Sequence, residues 1–131
     1  MSTADVSQAK TFDELWTILK PWLEDNIVVA HNAAFDMNVL RSTLNYYDLA
    51  IPWIEYFCSV SLSRKVWKEL PSHSLGNLCD FHNIRFNHHR AGDDARACAI
   101  ITLKAFENLN ADSVNNGLIM SKIQLKKLQN K

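Results

Sequence analysis

The stretch Ile27-Val28-Val29-Ala30-His31-Asn32-Ala33-Ala34-Phe35-Asp36 decides how this chain is read. Ile27–Ala30 is short, β-branched and apolar on both faces, the pattern of a strand buried in a parallel sheet. His31-Asn32 closes the strand, with Asn32 where a helix N-cap is wanted. A helix is predicted from about Ala33 to Tyr47. Upstream, Thr11 and Glu14 have capping-box spacing. Leu15, Ile18, Leu19 and Trp22 then recur at helical intervals, and Asp25-Asn26 ends that helix. Downstream, a second strand is expected around Tyr56–Val60, with helices near Ser61–Lys68, Ser74–His82 and Asp93–Asn108. The order helix, strand, helix, strand, helices predicts an α/β sandwich.

The remainder of the composition fits one globular domain. The chain has 131 residues, 47% apolar and 21% charged, with three Gly and three Pro. At roughly 100–150 residues per domain there is no room for two ordinary cores. Residues 1–110 are expected to form a partial domain and residues 111–131 a basic amphipathic C-terminal tail. That tail carries Lys122, Lys126, Lys127 and Lys131 among apolar residues. It reads as a packed amphipathic helix or as a basic arm touching a phosphate backbone. No apolar run approaches the roughly 20 residues of a membrane span. Met1–Asp5 lacks the regions of a signal peptide, so a cytoplasmic protein with no membrane partner is expected. Fourteen basic and 14 acidic residues cancel, which argues against a broad basic DNA-binding face. Cys58, Cys79 and Cys98 have no paired spacing and read as reduced thiols.

Two segments carry candidate chemistry. Asp36 falls near the first turn of its helix, just past the carboxyl end of the first strand, where open α/β sheets bind ligands. It aligns with Leu40 and Tyr47 on a stripe expected to face the sheet. A carboxylate there needs a cationic partner; the alternative is a half-exposed helix-dipole acid. The second segment is His88-His89-Arg90-Ala91-Gly92-Asp93-Asp94-Ala95-Arg96-Ala97-Cys98-Ala99. Gly92 permits a bend or close backbone approach, and Ala95, Ala97 and Ala99 permit tight packing. Asp94 aligns with Cys98 and Ile101, although spacing alone leaves Asp93 as an alternative. His89 could aim at the same point as a general base, or the His pair could be solvent-facing. Arg90 reads as a surface residue or as a phosphate screen. Two acids and a His on separate elements suit Mg²⁺ or Mn²⁺ rather than zinc, although a two-metal site usually has more carboxylates.

His31-Asn32-Ala33-Ala34-Phe35-Asp36 resembles the second motif of the DnaQ-like, DEDDh 3′→5′ exonucleases. His89-Arg90-Ala91-Gly92-Asp93-Asp94-Ala95 resembles their third motif, His-x-Ala-x-x-Asp-Ala. Cys58–Lys65 and Pro71–Cys79 resemble the family's middle helices. The resemblance, to the proofreading exonuclease domain type of DNA polymerase III, covers about residues 10–108. It implies a ribonuclease-H-like fold and hydrolysis of phosphodiester bonds at nucleic acid 3′ ends with two ions. It assigns Asp36 and Asp94 as metal ligands and His89 as the base. It implies that Phe35 lies beside the terminal nucleotide, with His31 and Asn32 as further substrate contacts. Single-stranded DNA rather than RNA is the expected substrate, and a polymerase a possible partner.

The departure from that pattern is large. The family's first motif, Asp-x-Glu on the first of three leading antiparallel strands, does not occur; Asp13-Glu14 is adjacent and opens a helix. Such strands need roughly 40–60 residues. The expectation is therefore an N-terminally truncated domain, weak or inactive alone, that either forms a homo-oligomer through its bared sheet edge or is a piece of a longer protein. The competing classes are a catalytically inactive remnant acting as a binding or oligomerisation module, and a non-nuclease metal-binding domain.

Overall fold

The computed structural model describes residues 11–87 and 90–129. Helix α1 (Phe12–Glu24) leads into strand β1 (Val28–Ala30), helix α2 (Ala33–Tyr46) and strand β2 (Glu55–Cys58). Helices α3 (Ser59–Val66), α4 (Leu75–His82), α5 (Ala91–Asn108) and α6 (Val114–Ser121) follow, and strand β3 (Lys126–Lys127) ends the series. The sheet order is β1-β2-β3. β1 and β2 are parallel, with Val28 opposite Tyr56 and Ala30 opposite Cys58. β3 runs antiparallel to β2, with Glu55 opposite Lys127. The result is a mixed α/β domain.

Alternation along the strands divides the interior in two. Val28 and Tyr56 face a layer containing Trp16, Met37, Leu44, Ile54 and Leu128. Val29 and Phe57 face the other, built on Leu62, Leu78, Ile101, Phe106 and Leu118. Helices α1 and α2 thus cover one face, and α3 to α6 the other. The C-terminal segment reaches both cores, through Leu118 and Leu128.

Several local expectations change in the folded chain. Residues 114–127 form a short helix and a strand rather than one amphipathic helix, because Lys122 turns into the left-handed region (φ 59°) at the end of α6. In α1 the capping box forms, with the Glu14 carboxylate accepting from the Thr11 N–H at 3.3 Å. The apolar residues that recur at helical intervals, Leu15, Ile18, Leu19 and Trp22, are exposed, and Phe12, Trp16 and Leu23 face the core instead. A helix with apolar residues on two sides can bury either, and the sheet selected one. The strand β1 is only half-buried, because among the described residues it lies at the sheet edge with a neighbour on one side. Gly92 lies within α5, where a Cβ would meet open space. Gly117 is the position that requires glycine, since a Cβ there would overlap the Phe106 ring.

Candidate active-site cleft

The cleft forms where β1 ends and two helices begin. Val29, Ala30 and His31 make its floor, and Asp36 of α2 and Asp94 of α5 stand on its walls. Its volume is about 370 Å³, with Cys98 at its base. Residues 58 positions apart in sequence thus bring two carboxylates to one opening. Asp94 keeps its expected line with Cys98 and Ile101, both buried. Asp36 does not lie on the inward stripe of α2, which is Ala33, Met37 and Leu44. It stands one position to the side, exposed along its outer edge. Burial against the cleft still raises its carboxyl above the usual range, partly offset by its own backbone N–H.

The choice between Asp93 and Asp94 is settled by direction. Asp93 accepts from the Asn87 N–H at 2.9 Å and lies 3.7 Å from Arg96, on the far side of α5 from the cleft. It ties down the loop ahead of the helix, leaving Asp94 as the cleft acid. Arg90 is exposed at the start of α5. His88 and His89 lie outside the described residues.

His31 is more constrained than its motif position implied. Its Nε2 lies 2.8 Å from the His73 carbonyl and its Nδ1 2.7 Å from Ser59 Oγ. A carbonyl can only accept, so Nε2 carries the proton and Nδ1 accepts from the serine hydroxyl. Ser59 Oγ is in turn 3.3 Å from Cys98 Sγ. Burial pulls the His31 pKa below its ordinary value; the bond to His73 opposes this, and the charges of Arg64 and His73 add to it. The ring is therefore neutral at physiological pH and fastens β1 to α3, α5 and the loop before α4. Both nitrogens are engaged within the chain, so His31 shapes the cleft rather than offering it a hydrogen bond.

Asn32 precedes α2, but its side chain makes no capping hydrogen bond. It takes a left-handed conformation (φ 75°, ψ 49°), which Asn tolerates better than most residues. Its side chain is exposed and lines the openings beside the cleft, and Phe35, next to Asp36 in sequence, is 69% exposed. Leaving so large a ring in water is a cost that a stacking partner would remove.

Ser59, Cys98 and Arg64 were given no site role from sequence. The signal for Ser59 was its place at the junction of a strand and a helix, where a small polar residue can be buried and still bonded. Cys58, the residue before it, is held similarly. Burial alone would raise its thiol, but the N–H groups of Ser61, Ala33, Val60 and Asn32 together hold it below the usual value.

Among the described residues no group of three or more His, Cys, Asp or Glu side chains gathers as a metal cluster. Two carboxylates with oxygen donors nevertheless fit a hard ion, because Mg²⁺ is commonly held by one or two carboxylates plus substrate phosphates and water. The donor set does not suit zinc, which takes nitrogen and sulfur in a closed tetrahedron.

An α/β domain with two acids meeting at the carboxyl end of a parallel strand is a ligand-binding arrangement suited to phosphate chemistry. Residues 1–102 match the exonuclease family model RNase_T, and the chain belongs to that family. It is 28% identical over 94% of its length to a PolC-type DNA polymerase III of Caldanaerobacter subterraneus, of which it covers 9%. A PolC-type DNA polymerase III of Oceanobacillus iheyensis is 33% identical over 74% of the chain, covering 7% of that relative. The 3′-5′ exonuclease DinG of Staphylococcus haemolyticus is 28% identical over 89% of the chain, which spans 13% of it. The chain therefore spans only a small part of these relatives. No solved structure gave a significant match. No helix among the described residues is long and apolar enough to cross a membrane.

Proposed function

We propose that this chain carries the catalytic cleft of a ribonuclease-H-like 3′→5′ exonuclease of the DNA proofreading or repair type. The observation that carries the reading is the convergence of Asp36 and Asp94, from separate helices, on one cleft at the end of β1. These two carboxylates would hold Mg²⁺ or Mn²⁺. Ions bound there would neutralise the phosphate and make water more acidic. Phe35 stacks on the terminal base and Asn32 contacts its sugar or phosphate, while His31 keeps the floor in shape. His89 removes a proton from the attacking water. The new bond forms between water oxygen and phosphorus, the bond from phosphorus to the 3′-oxygen breaks as that oxygen takes a proton from solvent, and a 5′-mononucleotide leaves. Single-stranded DNA is the substrate we propose; for a polymerase partner, the support is that relatives are PolC-type DNA polymerases III.

Two carboxylates leave much of the phosphate charge uncompensated, so the chain alone is expected to be slow. That shortage, with the edge position of β1, favours one second reading: an inactive module that binds nucleic acid or self-associates through the sheet edge. The test is mononucleotide release from 3′-labelled single-stranded DNA with Mn²⁺ at high chain concentration. Slow release that chelation and Asp94→Asn both abolish supports the exonuclease. Release that persists in Asp94→Asn overturns the assignment. No release, together with a dimer by light scattering, supports the module.

A further inference from the structure

A second cavity, of about 430 Å³, opens on the other side of Asn32, at the carboxyl end of β2. Its charged lining residues are Arg64 of α3, Lys122 at the end of α6 and Lys126 of β3; no carboxylate lines it. None of the three cations forms an ion pair among the described residues. Three like charges around one opening repel one another, a cost that an anionic occupant would remove. Cys58 also lines the wall; burial would raise its thiol, but nearby N–H groups, that of Ser61 foremost, hold it below its usual value. Tyr56, packed in part against the inner layer, is also among the cavity's lining residues. Cations beside an aromatic wall are the combination with which proteins hold single strands, phosphate on charge and base on ring.

This cavity is connected to the acidic cleft. Asn32 and Arg64 also line a third opening, which contains His31 and the loop Pro71–Ser74. His31 in turn lines the acidic cleft. The Arg64 charge is felt at the His31 ring. A path therefore runs from Asp36 and Asp94, over His31 and Asn32, to Arg64, Lys122 and Lys126. The direction of each lysine is set by the strand: successive side chains point to opposite faces. Lys126 lines the cavity, while Lys127 lies 4.0 Å from the centre of the Trp53 ring.

We propose that this basic cavity is a second subsite for single-stranded nucleic acid, holding backbone phosphate upstream of the nucleotide that enters the acidic cleft. The inference rests on the exonuclease reading for its direction, but its test does not need hydrolysis.

Binding of dye-labelled oligothymidylates of increasing length is measured by anisotropy in chelator, as a function of salt. The wild-type chain should bind longer strands more tightly than a mononucleotide. Each lost phosphate contact should lower the slope of log affinity against log salt by about 0.7, so Arg64→Gln/Lys122→Gln/Lys126→Gln should lower it by about 2 and weaken binding on the order of tenfold or more. Lys127→Gln should leave the slope unchanged. All three cations are exposed; should the triple variant fail to fold by circular dichroism, Lys122→Gln alone should lower the slope by about 0.7. An unchanged slope in a folded variant overturns the subsite. Equal affinity for a mononucleotide and a long strand shows a lone-phosphate site and overturns it too, as does an absence of binding. None of these results touches the exonuclease reading, which stands or falls on hydrolysis lost in Asp94→Asn.

Discussion

The acidic cleft and the basic cavity are neighbours with opposite chemistry. Asp36 and Asp94 face the first; Arg64, Lys122 and Lys126 face the second; His31 and Asn32 form the partition. A net charge of zero thus hides a separation of charge at one end of the sheet. Sequence-wide charge describes solubility and long-range attraction. It says little about a site, where the relevant quantity is which charges the fold gathers within a few ångströms.

The largest effect that would sharpen this contrast is on chemistry. Asp94→Asn should lower hydrolysis on the order of 10²–10³-fold, while oligonucleotide affinity in chelator stays near that of the wild type. Loss of both together would show one site instead of two. Next is the support beneath the cleft. Ile101, 1% exposed, lies on the same line of α5 as Asp94. Ile101→Ala should cost about 2–5 kcal/mol by urea denaturation, and a loss much below this would mean that α5 is not anchored as described. On the other side, Gly117→Ala would press on Phe106 in the core beneath α6, the helix that ends at Lys122. Overpacking costs about 1–3 kcal/mol, of which the better helix propensity of Ala returns about 1 kcal/mol. A stabilised variant would show that Phe106 can move aside.

The smallest effect concerns the partition. The folded pKa of His31 lies below its unfolded value, so its contribution to stability is present above the ordinary histidine pKa and is lost as pH falls through the lowered one. Denaturation midpoints should drop across that acid window more steeply for the wild type than for His31→Gln. Parallel curves would mean that burial does not hold the ring neutral.

Much of this was legible before folding. The apolar β-branched run gave β1, and the changes of period placed the helices from α1 to α5 and strand β2 to within a few residues, with Glu55–Cys58 in place of the expected Tyr56–Val60. Spacing left Asp93 and Asp94 as alternatives and the motif resemblance favoured Asp94, whose line along α5, Cys98 and Ile101, is buried. Asp36 was misaligned because α2 has a weaker pattern, and a shift of one residue around a helix moves a side chain by about 100°. Asn32 was read as a cap from its residue type, yet its backbone turned left-handed and left the side chain unused. In α1 the pattern offered apolar residues on two faces, and no local rule chooses between them.

The sequence by itself determined the elements up to α5, the α/β class and the family resemblance, because periodicity, caps and short motifs are local in the chain. Tertiary structure decided which acid faces the cleft, that both ring nitrogens of His31 are bonded within the chain, and that cations from α3, α6 and β3 share one cavity. Each of these depends on residues distant in sequence, such as His31 with Ser59 and His73 or Arg64 with Lys126. Their proximity is set by sheet register and by the competition among helices for the same buried surface, neither of which a local pattern contains.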